Sequence, residues 1–136
     1  MPLSRHIGDR WTEAAVLSST GTVYRLQGNL ENAQTYQLES LTIFEEIGDR
    51  KSEGIIRQNL GILAGMQGDY GQASAYLRQA LQIYQELGFR NGEGMALFNL
   101  GAVHLQQGDY ATAQNYLEQS LELQQAIGNG PVSFMP

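Results

Sequence analysis

Residues 59–70 read NLGILAGMQGDY and residues 99–110 read NLGAVHLQQGDY. The same register at residues 19–30 holds STGTVYRLQGNL, so Gly21, Gly61 and Gly101 stand 40 residues apart. Outward from these stretches, residues 7–46, 47–86 and 87–126 superimpose without a gap, and the second and third copies also share Tyr-Leu at 76–77 and 116–117. A fixed period of this length marks a stacked array of supersecondary units, none of which can bury its apolar face alone. In each copy an apolar stretch of helical period, such as Ile55 to Met66, runs into Gly-Asp or Gly-Asn, and a second, such as Tyr70 to Leu87, follows. Each copy is therefore predicted to be a hairpin of two helices, and the chain to be all-α.

The punctuation between helices has a physical cause. Gly28, Gly68 and Gly108 stand where a left-handed residue ends a helix. Asn29, Asp69 and Asp109 follow as N-caps, worth about 1 kcal/mol each. Gly8, Gly48, Gly88 and Gly128 are expected to end the second helix of each unit, with Asp9, Asp49 and Asn91 where the next begins. Short turns between helices of about 16 residues then force antiparallel neighbours. Small residues recur where backbones must approach, Gly21, Gly61 and Gly101 facing Ala33, Ala73 and Ala113. Leu41, Leu60, Tyr70, Leu81, Leu100, Tyr110 and Leu121 are expected to fill the remaining volume.

These residues resemble the tetratricopeptide repeat family. The family pattern is met by Asn59-Leu60-Gly61, Gly68-Asp69-Tyr70, Ala73, Leu77 and Ala80-Leu81, and again by Leu100-Gly101, Gly108-Asp109-Tyr110, Ala113, Leu117 and Leu121. The usual unit has about 34 residues, so the chain is similar to the longer, 40-residue variety of repeat. The resemblance covers residues 7–128, leaving 129–136 as a tail, and implies a right-handed superhelix of three antiparallel hairpins. The first unit departs from the pattern with Ser19-Thr20-Gly21, Leu30 and Gln37, so weaker packing is expected there. Ala64 and His104 replace the aromatic residue that Tyr24 keeps.

Composition narrows the function. With no cysteine, the chain can hold no disulfide, thiolate nucleophile or cysteine-ligated zinc. A net charge of −6 with only eight Lys and Arg opposes binding to phosphate backbones, so nucleic acid is not an expected partner. No apolar run reaches the length of a membrane span and no signal-peptide core is present, which points to a cytoplasmic protein. His6 and His104 are the only histidines, and no Ser-His-carboxylate or metal constellation is assembled around His104 by the pattern. Glu45 and Glu46 point to different helix faces, and Glu118 and Glu122 share a face of the kind that is usually solvated. The glycines fall at turns and close contacts, and Gly92-Glu93-Gly94 has no strand before it, so no phosphate loop is expected. Neither catalysis nor a cofactor is predicted.

In the resembled family the first helix of each hairpin lines the concave side of the array. Carried onto this sequence, the groove positions are Ala15, Ser18, Thr22, Arg25 and Leu26, then Ile55, Gln58, Asn59, Ile62 and Met66, then Met95, Phe98, Asn99, Ala102, Leu105 and Gln106. Asn59 and Asn99 admit two readings. Each amide either clamps the backbone of an extended peptide, since Asn carries a donor and an acceptor, or bonds to a neighbouring helix. Ile62, Met66, Met95, Phe98 and Leu105 either form an interface for an apolar or amphipathic partner or pack between repeats. The family's clamp for a terminal carboxylate is not expected, because its positions hold Ser18, Thr22, Asn59, Met95 and Asn99, and only Asn59 matches.

The ends raise a further alternative. Arg5-His6-Ile7-Gly8-Asp9 reads like the tail of a preceding unit, and Asn129-Gly130-Pro131 stops the last helix without a capping helix after it. Either the chain is excerpted from a longer array, or its ends are closed by another copy or by Phe134 folding back. The expected function is a protein-binding scaffold that holds a peptide or helix of a partner. The alternative is a self-assembly module forming a homo-oligomer through its terminal helices.

Overall fold

The computed structural model describes residues 3–128, with side chains from Gly8 onward. The expected tail at 129–136, with Phe134, lies outside the described residues. Six α-helices follow in order: α1 (Leu3–Leu26), α2 (Leu30–Ile47), α3 (Arg50–Met66), α4 (Tyr70–Leu87), α5 (Arg90–Gln106) and α6 (Tyr110–Gly128). No strand occurs among the described residues. Within hairpins α1 packs on α2, α3 on α4 and α5 on α6, while α2 with α3 and α4 with α5 join one hairpin to the next. The architecture is an all-α repeat array.

At four of the five internal turns one residue serves two helices. Gly68 takes a φ of +81°, a conformation that suits a residue without Cβ, and Gly28, Gly48, Gly88 and Gly108 do likewise. Asp69 then donates its backbone N–H to the Ala64 carbonyl at 2.9 Å, and its Oδ1 accepts from the Gln72 amide at 3.1 Å. Both the carbonyl end of α3 and the amide end of α4 are closed by that one residue. Asn29, Asp49 and Asp109 repeat the arrangement, accepting from the amides of Asn32, Ser52 and Thr112.

Other expected helix ends are not found. Gly8 and Asp9 lie inside α1, which runs unbroken for 24 residues, so they do not divide the tail of one unit from the start of another. A single helical Gly costs only about 1 kcal/mol, too little for Gly8 to end the helix by itself. Gly128 is the last residue of α6 and has no left-handed φ. Asn91 falls within α5, whose N-cap is Phe89 with no side-chain bond. The Phe89 ring instead meets Tyr84 edge-on, with centroids 5.5 Å apart, and Lys51 Nζ lies 4.2 Å from its centre. Gly92 makes room for this ring, since a Cβ there would come within 2.6 Å of it. Aromatic and cation contacts thus replace the missing cap.

The core follows the small-residue pattern. A Cβ on Gly61 would sit 3.2 Å from the Ala73 carbonyl oxygen and 2.7 Å from Leu77 Cγ. Gly21 and Gly101 approach the Ala33 and Ala113 carbonyls in the same way, at 3.1 and 3.3 Å. Around these contacts Leu60, Leu63, Leu77, Leu100 and Tyr84 are buried, and burial pushes the Tyr84 hydroxyl up to about 12. Tyr110 and Leu121, expected as core fillers, are exposed, because no described helix covers the outer face of α6.

Gly61→Ala is expected to lower stability by about 1–3 kcal/mol through overpacking, measured by urea denaturation. Gly65→Ala, whose Cβ would meet only Ala73 Cβ at 3.9 Å, should cost less or stabilise. Equal stability of the two variants would contradict the close-contact account.

Candidate functional site

The register that stacks the hairpins sets Asn59 on α3 and Asn99 on α5 at equivalent places. Two adjoining depressions open beside them. The first, of about 80 Å³, is walled by Thr22, Arg25, Gln37, Asn59, Ile62 and Leu63. The second, of about 180 Å³, is walled by Gly61, Ile62, Gly65, Met66, Leu77, Asn99, Ala102, Val103 and Gln106. Ile62 belongs to both. The Asn99 Nδ2 is buried and has no hydrogen-bond partner, and the Gln58 Oε1 is in the same position.

Of the residues carried over from the family groove, Thr22, Arg25, Asn59, Ile62, Met66, Asn99, Ala102 and Gln106 are brought together by these depressions. Ile55, Met95 and Phe98 are half-exposed in the first halves of α3 and α5 and wall neither. Leu26 is exposed at the end of α1. Leu105 turns to a separate apolar depression with Tyr110, Leu117 and Leu121, between α5 and α6. Ala15 lies in another with Val16 and Val23, along α1 alone.

Ser18 is occupied within its own hairpin. Its hydroxyl donates to Gln37 Oε1 at 3.0 Å, and Gln37 Nε2 donates to the Ser18 carbonyl at 3.0 Å. Gln37 is buried where the other units place Leu77 and Leu117, and the weaker packing expected of it is offset by this mutual pairing. Each polar residue was visible in the sequence, but not that they meet.

His104 gathers partners that spacing did not reveal. Its ring stacks on Tyr116 with centroids 5.5 Å apart, as Tyr24 stacks on Tyr36 at 5.3 Å. Nε2 lies 3.5 Å from Ser74 Oγ, and Nδ1 lies 3.4 Å from Asp109 Oδ2 without hydrogen-bond geometry. The three residue types match a nucleophilic triad, yet Ser74 is buried and Asp109 is engaged as the α6 cap. Hydrogen bonding from Thr112, opposed by slight desolvation and reinforced by nearby His104, holds the Asp109 carboxyl below its ordinary range. The cluster ties α4 to α5 and to the turn before α6. Among the described residues no group of three His, Asp or Glu is placed to hold a metal ion, and no helix is long and apolar enough to cross a membrane.

The tetratricopeptide repeat model matches residues 12–86 and again 77–126, and the chain belongs to that family. Among solved structures, BtubC (BKLC) from P. vanneervenii is similar with a TM-score of 0.80 and 23% identity, over 90% of this chain and 49% of that one. The TPR domain of Arabidopsis FLU aligns with a TM-score of 0.78 and 20% identity, over 83% of this chain and 95% of that domain. A STAND signal transduction ATPase with a tetratricopeptide repeat sensor, from Pyrococcus horikoshii, aligns with a TM-score of 0.65 and 19% identity, over 91% of this chain and 26% of that one. The chain thus spans about half of BtubC and about a quarter of the ATPase. At these identities the likeness is one of fold. No curated protein matches the sequence. The family generally mediates protein–protein interaction and is generally non-catalytic.

Ser18→Ala strands the Gln37 carbonyl oxygen and is expected to cost about 1–3 kcal/mol in chemical denaturation. Adding Gln37→Leu, which copies the other units, should recover most of that loss. A single variant as stable as the parent would contradict the pairing.

Proposed function

We propose that the face shared by α1, α3 and α5 is a groove that binds an extended segment of a partner protein, and that the chain acts as a non-catalytic cytoplasmic scaffold. The observation that carries this reading is the Asn99 amide, buried without a partner at the edge of an apolar depression. An unmet buried donor costs about 1–3 kcal/mol, so turning the Asn99 carboxamide toward the depression to meet a ligand carbonyl recovers energy the free protein lacks. Asn59 stands at the equivalent place on the adjoining depression. Successive first helices are spaced by roughly 10 Å, about three residues of extended chain, so two carboxamides can read one backbone. Ile62, Met66 and Ala102 add an apolar floor that favours an apolar or amphipathic segment.

Peptides selected from a random displayed library on the parent protein provide the test. Asn59→Ala and Asn99→Ala should each weaken the best peptide by roughly tenfold, the worth of one well-made hydrogen bond to a buried group. Unchanged binding in both variants, read by fluorescence anisotropy, would contradict the proposal.

A second reading rests on other surfaces. Leu121 and Val23 are exposed, while their counterparts at an internal seam, Leu41 and Leu63, are buried. Stacking a second copy head to tail would cover both faces with contacts that the chain already makes internally. Light scattering should then show dimers or larger species that Leu121→Glu returns to monomer. A parent monomeric at high concentration would exclude this.

A further inference from the structure

Of the three arginines among the described residues that are partly shielded from solvent, two are neutralised inside the fold. Arg10 meets Glu13 and Glu46, and Arg57 meets Glu45 and Glu53. The third, Arg25, has no carboxylate partner among the described residues. It lies in the smaller depression of the groove, beside Asn59.

The other polar groups of that depression are already committed. Thr22 donates to the Ser18 carbonyl at 3.2 Å, and Gln37 uses both ends of its amide on Ser18. What remains facing a ligand is a guanidinium, which has five donors and no acceptor, and the Asn59 carboxamide. A fork of donors of this kind selects a planar anion that accepts two parallel hydrogen bonds. The space, about 80 Å³, has room for a few water-sized groups, which suits a carboxylate better than a bulky side chain. The charge of the whole chain is −6, so a cation left open within the groove is a place where an acidic group is attracted.

Resting on the groove reading above, we propose that this depression is an acid-recognition subsite, and that the partner segment is extended and carries an internal Asp or Glu. The neighbouring larger depression, floored by Ile62, Met66 and Leu77, takes an apolar side chain of the same segment. One repeat of roughly 10 Å separates the two, so the acidic and apolar residues lie about three positions apart. The acid is a side chain and not a chain terminus, since of the family's terminal-carboxylate clamp only Asn59 is kept in this sequence.

The test uses a random peptide library displayed with the peptide C-terminus fused to its carrier, so that every carboxylate presented is a side chain. Selection on the parent protein should return peptides with Asp or Glu about three residues from Leu, Ile, Met or Phe. Selection on Arg25→Gln should return no acidic preference. For the best parent peptide, replacing its acid with the matching amide should weaken binding by roughly tenfold, and should have no further effect on Arg25→Gln. The peptide-side change needs no altered protein and so stands even if Arg25→Gln folds poorly. Selected peptides without an acid, or with an acid whose replacement leaves affinity unchanged, overturn the subsite while leaving the groove intact. Failure to select any peptide overturns both.

Discussion

Everything in this chain depends on the glycine of each first helix lying against a backbone carbonyl of the second. With Gly61 closed on Ala73, and Gly21 and Gly101 on Ala33 and Ala113, no side chain separates the two backbones and each hairpin has one permitted register. Because the contact recurs every 40 residues, everything else recurs with it. Asn59 and Asn99 owe their equivalent placement to this constraint, so the spacing of the proposed ligand-reading pair is set by helix packing.

Energy at the joints comes from polar residues that each serve more than one element. Asp49 illustrates this: burial works to raise its carboxyl, but Ser52, Trp11 and Lys51 together hold it below the ordinary range. Its oxygens cap α3 while accepting from the Trp11 indole at 2.8 Å, which links the first hairpin to the second. Arg57 likewise reaches Glu45 on α2 and Gln79 on α4. An ion pair of this kind is worth little individually, but Arg57 with Glu45 bridges successive hairpins, where a repeat array has few other long-range contacts. The groove face is left with the groups that the fold does not consume.

The fold was legible because repetition lets one copy check another: NLG and GDY in one register fix helix, turn and helix with little ambiguity. What escaped were the places where the copies differ. Phe89 stands where Asp49 caps, and only its packing on Tyr84 explains why α5 tolerates the change. Gln37 is a defect by the repeat pattern alone, and only its pairing with Ser18 accounts for it. Ser74, His104 and Asp109 come from two repeats and a turn, so no local spacing joins them. At the site, eight of the groove residues converge on two depressions, whereas Leu105 turns to the face beyond α5. Sequence periodicity assigns a residue to a helix face, but which neighbour that face meets depends on whether another hairpin follows.

The central claim is that the carboxamides of Asn59 and Asn99 read one bound backbone. Side-chain amide resonances in a nitrogen–proton correlation spectrum, recorded while a selected peptide is titrated in, test it most directly. Both amides should shift together and saturate at one equivalent, while the exposed Asn32 and Asn115 on the second helices remain in place. Saturated binding with Asn59 and Asn99 unmoved would contradict the account.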